Sequence, residues 1–354
     1  MSDRKRVTIV GGGLAGALMA CYLGEAGHEV SVYERRPDPR AKGYIGGRSI
    51  NLALSARGIK GLAGVGLAEK VLESALPMRG RMMHSRAGET AFQAYSKNKS
   101  DAINSISRGG LNLILLEAAA KHPNVSLHFD HRCLDVDLEA PAAVFEHEVK
   151  EEDGSRSGDG EGKKPRIQIV RVESDLVIGA DGAFSAVRGK MQKQDRFDYS
   201  QSYLEHGYKE LHIPPASSGG VAHGGAMFAM APHALHIWPR GGSMMIALPN
   251  PDGSFTCTLF WPFEGRHSFA ALRTPEQVER FFNEEYPDAV PLMPTLVEDY
   301  MRNPTSSLVT VRCSPWQANG RVVLIGDAAH AIVPFFGQGM NAAFEDCLCL
   351  AECL

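Results

Sequence analysis

No run of apolar residues in the 354-residue chain reaches the ~18 that a bilayer-crossing helix requires. A helical membrane span within these residues is therefore excluded. Strong charge of either sign is missing too, since 37 Lys and Arg against 41 Asp and Glu leave a net charge of −4. Nucleic acid and anionic membrane surfaces select a basic field, so neither is expected as a partner. Seven cysteines (Cys21, Cys133, Cys257, Cys313, Cys347, Cys349, Cys353) occur without a C-x-x-C pair. That pattern speaks for a reducing compartment and against both a disulfide framework and a metal site. Cys347, Cys349 and Cys353 have no histidine among them and read as helix packing. Met1–Val7 passes from a short basic tail directly into a strand, which leaves no room for a signal peptide. Internal repeats are also lacking.

What is present is an α/β pattern with an insertion. Lys5–Val10 reads as a buried strand, followed by a glycine-rich turn, an apolar helix to about Ala26 and a second strand at Glu29–Glu34. Helical periodicity returns at Gly110–Lys121, and strands follow at Val125–Phe129 and Asp175–Ile178. The charged, glycine-rich run Lys150–Pro165 reads as a solvated hairpin connection. From Tyr203 the texture changes to strands joined by Pro/Gly turns: Tyr203–His212, Ala234–Trp238, Ser243–Leu248 and Ser254–Trp261. Helices are predicted at Pro275–Glu285 and about Leu292–Met301, then a strand at Arg321–Ile325 and a helix from about Gln338. The fold class is therefore α/β, a Rossmann-like nucleotide-binding domain with an inserted antiparallel sheet for substrate. Its expected segments are 1–75, 100–200 and 305–354 for the first domain, and 76–99 and 201–304 for the second. Pro214–Phe228 has the glycines of a phosphate loop but no buried strand before it, so it reads as a surface loop.

Three motifs carry chemistry. Gly11-x-Gly13-x-x-Gly16 lies between a strand and a helix, and Glu34 ends the next strand. The glycines permit a tight turn and close approach of a pyrophosphate to a helix N-terminus, while the acid can accept hydrogen bonds from an adenosine ribose. The motif binds a dinucleotide but does not choose between NAD and FAD. Gly179-Ala180-Asp181-Gly182, with Ser185, Val187 and Arg188 beyond it, follows a buried strand. So does Gly326-Asp327-Ala328-Ala329-His330, which leads into P-F-F-G-Q-G-M-N (Pro334–Asn341). A carboxylate at the carboxyl edge of a sheet is where α/β folds collect ligands. Asp327 there can hydrogen-bond a ribityl hydroxyl or cap a helix. The helix after Gly337–Gly339 can stabilise the negative charge of a reduced flavin, by roughly 0.3–2 kcal/mol.

These motifs, in this order, resemble the class A FAD-dependent aromatic hydroxylases. Within that family the branch acting on L-kynurenine is the nearest in kind. The residues carrying that likeness are G-R-S-I-N-L-A-L-S-A-R-G (Gly47–Gly58), M-R-G-R-M-M-H (Met78–His84), R-F-D-Y-S-Q (Arg196–Gln201), H-G-Y-K-E-L (His206–Leu211), L-H-I-W-P-R (Leu235–Arg240), M-M-I-A-L-P-N (Met244–Asn250), S-F-T-C-T-L-F (Ser254–Phe260) and V-P-F-F-G-Q-G-M-N-A-A-F-E-D-C (Val333–Cys347). The resemblance implies tightly bound, non-covalent FAD reduced by NADPH, reaction with O2 through a flavin C4a-hydroperoxide, and hydroxylation of L-kynurenine at carbon 3. The cofactor carries the hard chemistry, so no catalytic triad and no metal are expected, and His84 and His330 read as positional.

By the same likeness Arg81 binds the substrate carboxylate, a task suited to a bidentate guanidinium, and Tyr95 pairs with it. Leu235, Met244, Ile246, Leu248 and Phe260 line the ring pocket, and Pro334 and Phe335 close it. The cofactor contacts implied are Gly11, Gly13, Leu14, Ala15, Gly16, Tyr33, Glu34, Arg35, Arg36, Arg48, Ala53, Arg108, Cys133, Asp181, Asp327, Gly339, Met340 and Asn341. Arg57 is expected only to pair locally. There is no second G-x-G-x-x-G unit, so NADPH is expected to bind transiently near the flavin. The helix from Gln338 is still running at Leu354, and members of the family continue with further helices that cap the substrate, so a longer natural chain is expected. The likeness implies a cytoplasmic enzyme in a bacterium and, in a eukaryote, an outer mitochondrial membrane anchor through a C-terminal tail; a homodimer is left open. Two rival readings are a class A hydroxylase of another aromatic or lipid substrate, and a non-catalytic prenyl-GTPase carrier that reuses the fold. The former has no need of Arg81 with Tyr95, and the latter has no need of Asp327.

Overall fold

The computed structural model describes residues 4–42, 51–149 and 166–354. Arg48 and the Lys150–Pro165 connection fall outside the described residues. The strands flanking that connection, Ala142–Val149 and Arg166–Glu173, pair antiparallel along their whole length, as a hairpin requires.

The N-terminal β-α-β unit sits at the centre of a six-stranded sheet. Its spatial order is Gln317–Ala318, Val322–Leu324, Leu176–Gly179, Arg6–Val10, Glu29–Tyr33, Val125–His128. All neighbours are parallel except the first pair. Helix Leu14–Glu25 is buried at every residue from Gly16 to Gly24. The sheet lies on one side of it and helices Arg108–Ala119 and Gly339–Cys353 on the other. A helix covered on both sides needs no polar stripe, and its composition is apolar all round.

The second layer is a seven-stranded sheet in the order Ser306–Ser314, Asp198–Ile213, Phe255–Pro262, Met244–Pro249, Ala234–Pro239, Gly80–His84, Thr90–Ala94. Side chains alternate across it. One face (Leu211, Trp238, Met245, Ala247, Phe255, Cys257, Leu259) packs into a buried cluster with Val278 and Phe282 of helix Pro275–Glu285 and Leu296 and Tyr300 of helix Leu296–Arg302. Each large side chain fully buried there contributes roughly 1.5–3 kcal/mol, which makes this layer a firm base for the opposite face. Helix Pro275–Glu285 begins on a capping box, with Thr274 and Gln277 reciprocally bonded and Pro275 in the first turn.

Two expectations need correction. Ser306–Ser314 does not belong to the nucleotide-binding sheet; it pairs with Asp198–Ile213 as an edge of the large sheet. Pro214–Phe228 is not a plain loop, because Val221–His223 and Ala226–Phe228 form a small hairpin that buries Phe228 completely. A three-stranded sheet (Asn51–Leu54, Ile103–Ser107, Leu76–Met78) joins the two layers. There Asn51 Nδ2 donates to Asn250 Oδ1 at 2.6 Å and Ser105 Oγ to the Pro249 carbonyl at 2.8 Å. Among the described residues, no helix is long and apolar enough to cross a membrane.

Candidate active site

Register brings the three motifs together. Val10 pairs with both Gly179 and Tyr33, and Gly179 with Leu324. The glycine turn, Asp181, Glu34 and Asp327 therefore emerge side by side from the carboxyl ends of four adjacent strands. This is the crevice where an open parallel sheet takes its ligand.

Each element is set by local chemistry. Gly11 has φ +104°, and an added Cβ would lie 2.5 Å from the Ala180 carbonyl oxygen, so only glycine makes this turn. Glu34 accepts from Gly12 N at 2.9 Å and from Arg36 N at 3.0 Å, which fixes its carboxylate at the turn. Ser185 caps helix Ala186–Met191 by accepting from Arg188 N at 2.9 Å. The Arg188 side chain, 2% exposed, donates to the Ala183 and Ala328 carbonyls and so ties the second motif to the third. Asp346 Oδ2 accepts from Gly326 N at 2.8 Å and from His330 Nε2 at 2.7 Å, clasping both ends of the Gly326–His330 turn. Its hydrogen bond raises the His330 pKa, with burial opposing.

The crevice fits FAD on several observations. Asp181 Oδ1 is buried without a hydrogen-bond partner, while Oδ2 accepts from Ala186 N at 2.7 Å. Burial pushes the carboxyls of Asp181 and Asp327 above their ordinary range; Arg108 and His330 oppose this at Asp327. Asp327 nevertheless keeps an open face to solvent, as a carboxylate on the floor of a concave crevice does. A Cβ added at Gly13 would meet nothing within 4 Å, and no side chain caps helix Leu14–Glu25. Helix Gly339–Cys353 also begins without a side-chain cap, leaving its first amides for a ligand.

The implied contacts differ in what they can offer. Arg108 is exposed at the start of its helix and close enough to Asp327 to lower its pKa. Arg35 and Arg36 are exposed beside Glu34. The Tyr33 ring, by contrast, is stacked between His128 at 4.5 Å and Phe145 at 4.1 Å, so only its backbone faces the crevice edge. Asn341 is fully buried and its amide is spent inside the protein: Nδ2 donates to the Ala53 and Gly337 carbonyls, and Oδ1 accepts from Ser55 N. It joins the Ala53 strand to the last helix and leaves only its own N–H at the helix start. Met340 is largely buried, and Leu14 and Ala15 are half-buried against the main core. Cys133 lies near Asp181, and burial pushes its thiol up to about 12. Arg57 pairs with Glu345 at 3.3 Å on the surface.

The ring-pocket residues share one face of the large sheet. Arg81 pairs in register with Leu235, Ile246 with Thr258, and Met244 with Phe260. Leu235 and Leu248 both flank this line, two residues from Ile237 and Ile246, which are themselves paired. Phe335 packs edge-on against Phe260 at 5.4 Å, within the short 3-10 turn Pro334–Phe336. The Arg81 guanidinium lies 5.5 Å from the Tyr95 ring centroid, and no carboxylate pairs with it among the described residues. Burial raises the Tyr95 pKa while its hydrogen bond to Arg81 opposes the rise. Sequence reasoning missed Thr256, Thr258 and Tyr208, which occupy the same face by register. Their period-2 spacing from the apolar residues was the available signal.

Comparison with known proteins agrees with this geometry. A family model described as "FAD binding domain" matches residues 4–354. Kynurenine 3-monooxygenase of Dictyostelium discoideum is 50% identical over 349 residues, covering 99% of this chain and 70% of that protein. Its counterparts in Myxococcus xanthus and Sus scrofa are 47% and 45% identical, over 100% and 99% of this chain and 72% and 69% of theirs. Among solved structures, 2-methyl-3-hydroxypyridine-5-carboxylic acid oxygenase superposes with a TM-score of 0.72 at 19% identity, covering 99% of this chain and 82% of that one. PqsL of P. aeruginosa superposes with 0.70 at 21%, covering 99% and 86%; at such identities these two establish the fold alone. The chain belongs to the kynurenine 3-monooxygenase family of FAD-binding flavoprotein monooxygenases.

Proposed function

We propose that the protein hydroxylates L-kynurenine at ring carbon 3, consuming NADPH and O2. FAD, when bound, supplies the redox chemistry, accepting hydride from NADPH and activating O2. Everything else falls to the protein's own residues. Gly11, Gly13, Gly16 and the first turn of helix Leu14–Glu25 would hold the pyrophosphate, and Glu34 with Arg35 and Arg36 the adenosine end. Asp181, Asp327, Arg108, Cys133 and the Gly339–Asn341 amides would hold the ribityl chain and flavin. Arg81 would grip the substrate carboxylate as a fork, with Tyr95 beside it. Leu235, Met244, Ile246, Leu248 and Phe260 would seat the aromatic ring, and Pro334 and Phe335 would exclude water above it.

No side chain needs to move a proton to activate the ring, because the aromatic amine already donates electron density to the adjacent carbon. The observation that supports this reading best is the position of Arg81. An exposed guanidinium without an acidic partner stands at the end of an apolar, aromatic-lined face. An amino acid with a large ring and a free carboxylate matches that arrangement.

Purified protein should be yellow, and L-kynurenine should accelerate its oxidation of NADPH with formation of 3-hydroxykynurenine. A colourless protein that takes up no FAD would refute the cofactor assignment. A flavin-loaded protein indifferent to kynurenine would refute the substrate.

A further inference from the structure

The face of the large sheet turned away from Arg81 carries a buried polar chain that the proposed reaction does not use. His84 ends the Gly80–His84 strand and is 5% exposed; His236, on the neighbouring strand, is 2% exposed. Asp288, in the turn after helix Pro275–Glu285, places Oδ2 2.6 Å from His84 Nδ1. His84 Nε2 lies 2.8 Å from His236 Nδ1, and His236 Nε2 lies 2.9 Å from the Ala231 carbonyl oxygen. Trp238 Nε1 donates to both Asp288 oxygens, at 3.1 and 2.9 Å, and its ring stacks on His84 at 4.0 Å.

The protons along this line can be counted. A carbonyl only accepts, so His236 Nε2 carries a hydrogen. A carboxylate only accepts, so His84 Nδ1 carries one, and the contact between the rings needs a third. Two neutral imidazoles own two. Burial holds the His236 pKa down at about 4, so the surplus proton belongs to His84. Burial lowers the His84 pKa as well, and the Asp288 hydrogen bond and charge work against that fall. The 2.8 Å contact between the rings decides for the protonated ring, since with one hydrogen on His84 Nδ1 and one on His236 Nε2 two bare lone pairs would face each other there. The Asp288 side chain is 19% exposed, and an imidazole binds a proton more tightly than a carboxylate does.

The same strand end is held from a second side. Arg240 donates Nη1 to the His84 carbonyl at 3.0 Å and Nη2 to the Ser85 carbonyl at 3.1 Å. Glu285 faces Arg240 at 3.9 Å and Arg86 at 2.7 Å. The strand needs such anchorage, because its outer neighbour Thr90–Ala94 is exposed at every residue. Arg81 is three residues from His84 and points to the opposite face. We infer that His84, His236 and Asp288 form a buried clamp, one proton richer than two neutral histidines, that positions the Gly80–His84 strand and through it Arg81 for the substrate carboxylate.

This rests on the role of Arg81 proposed above, and the tests separate the two. Nitrogen-15 NMR of histidine-labelled wild-type protein at neutral pH should find three ring N–H groups shared by His84 and His236. In Asp288→Asn it should find two, because an amide can donate to His84 Nδ1 while still accepting from Trp238. Two in the wild type would overturn the clamp, whether or not any variant folds. In the flavin-loaded protein, Asp288→Ala should raise the KM for L-kynurenine on the order of tenfold through misplacement of Arg81. Flavin content and kcat should hold, and Asp288→Asn should restore the KM. The decarboxylated amine analogue of kynurenine, which offers Arg81 nothing to bind, should show no KM change. An equal rise for both compounds, or none for kynurenine, would overturn the positioning role. If Arg81→Ala itself leaves the kynurenine KM unchanged, the substrate-site reading has failed instead.

Discussion

Alanine at Gly13 and alanine at Gly16 should have opposite consequences, although the two glycines belong to one motif. Gly13 has φ −72° and ψ −171°, a conformation open to any L-residue, and its added Cβ would meet no protein atom within 4 Å. In the cofactor-free protein Gly13→Ala is therefore expected to be neutral or to gain roughly 0.4–1 kcal/mol, because the unfolded chain loses freedom. Gly16 differs, since its Cβ would lie 1.9 Å from the Gly11 carbonyl oxygen and 3.2 Å from Ile9 Cγ2. Strand turn and helix would have to separate, at roughly 1–3 kcal/mol or more. That outweighs the ~1 kcal/mol by which alanine is the better helix former. The order should reverse for FAD, because the proposed placement brings the pyrophosphate to the helix through the open space at Gly13. We expect Gly13→Ala to weaken FAD by tenfold or more, each factor of ten being about 1.4 kcal/mol. The stabilisation that saturating FAD confers should shrink by the same amount. Urea unfolding of the apo and FAD-loaded forms, with flavin fluorescence titration, measures both quantities. A Gly13→Ala protein that binds FAD as tightly as the wild type would refute the placement of the cofactor.

Arg81→Ala should raise the kynurenine KM strongly with flavin content intact, and Arg81→Lys should recover little, because an ammonium does not reproduce the planar fork. Loss of FAD in either variant would contradict the division of labour between the two layers. The His330–Asp346 pair gives a pH dependence of stated sign. The folded-state His330 pKa lies above its ordinary value, so its contribution is complete below the unfolded pKa near ~6.5 and is lost as pH rises through the folded value. The stability gap between wild type and Asp346→Asn should narrow with rising pH across that window, and a widening gap in urea titrations would count against it. Alkylation of the native protein followed by mass spectrometry should label Cys349 and Cys353, which are exposed, before the buried Cys21, Cys257 and Cys347. Burial pushes all three buried thiols upward, Cys21 to about 12, and early labelling of any of them would show that the packing described here opens readily.

The cofactor crevice was legible because its signals are local. A strand, a tight glycine turn and a helix start occupy adjacent residues, and Asp181 and Asp327 each follow a strand whose apolar run is plain. Helix Pro275–Glu285 was equally plain, its start marked by Thr274, Pro275 and Gln277. Less was legible where partners are distant in sequence. Ser306–Ser314 has the apolar content of a strand, but nothing local says that its neighbour is Asp198–Ile213. Asn341 has the position of a cofactor contact, yet its amide is consumed by Ala53, Ser55 and Gly337. Tyr33 is similar, its ring drawn into a stack with His128 and Phe145.

By itself, the sequence determined the kind of ligand, because the strand, glycine turn and helix start that signal a dinucleotide involve only Gly11, Gly13, Gly16 and their immediate neighbours. It also determined which side chains could share a sheet face, through the period of two. Tertiary structure alone decided which strands lie side by side, and hence that Arg81, Leu235, Ile246 and Phe260 face one space. It also decided that His84, His236 and Asp288 meet behind that space. Pairing across more than a hundred residues is selected by the burial of whole faces, and the proton count of a buried cluster by contacts that exist only after that burial.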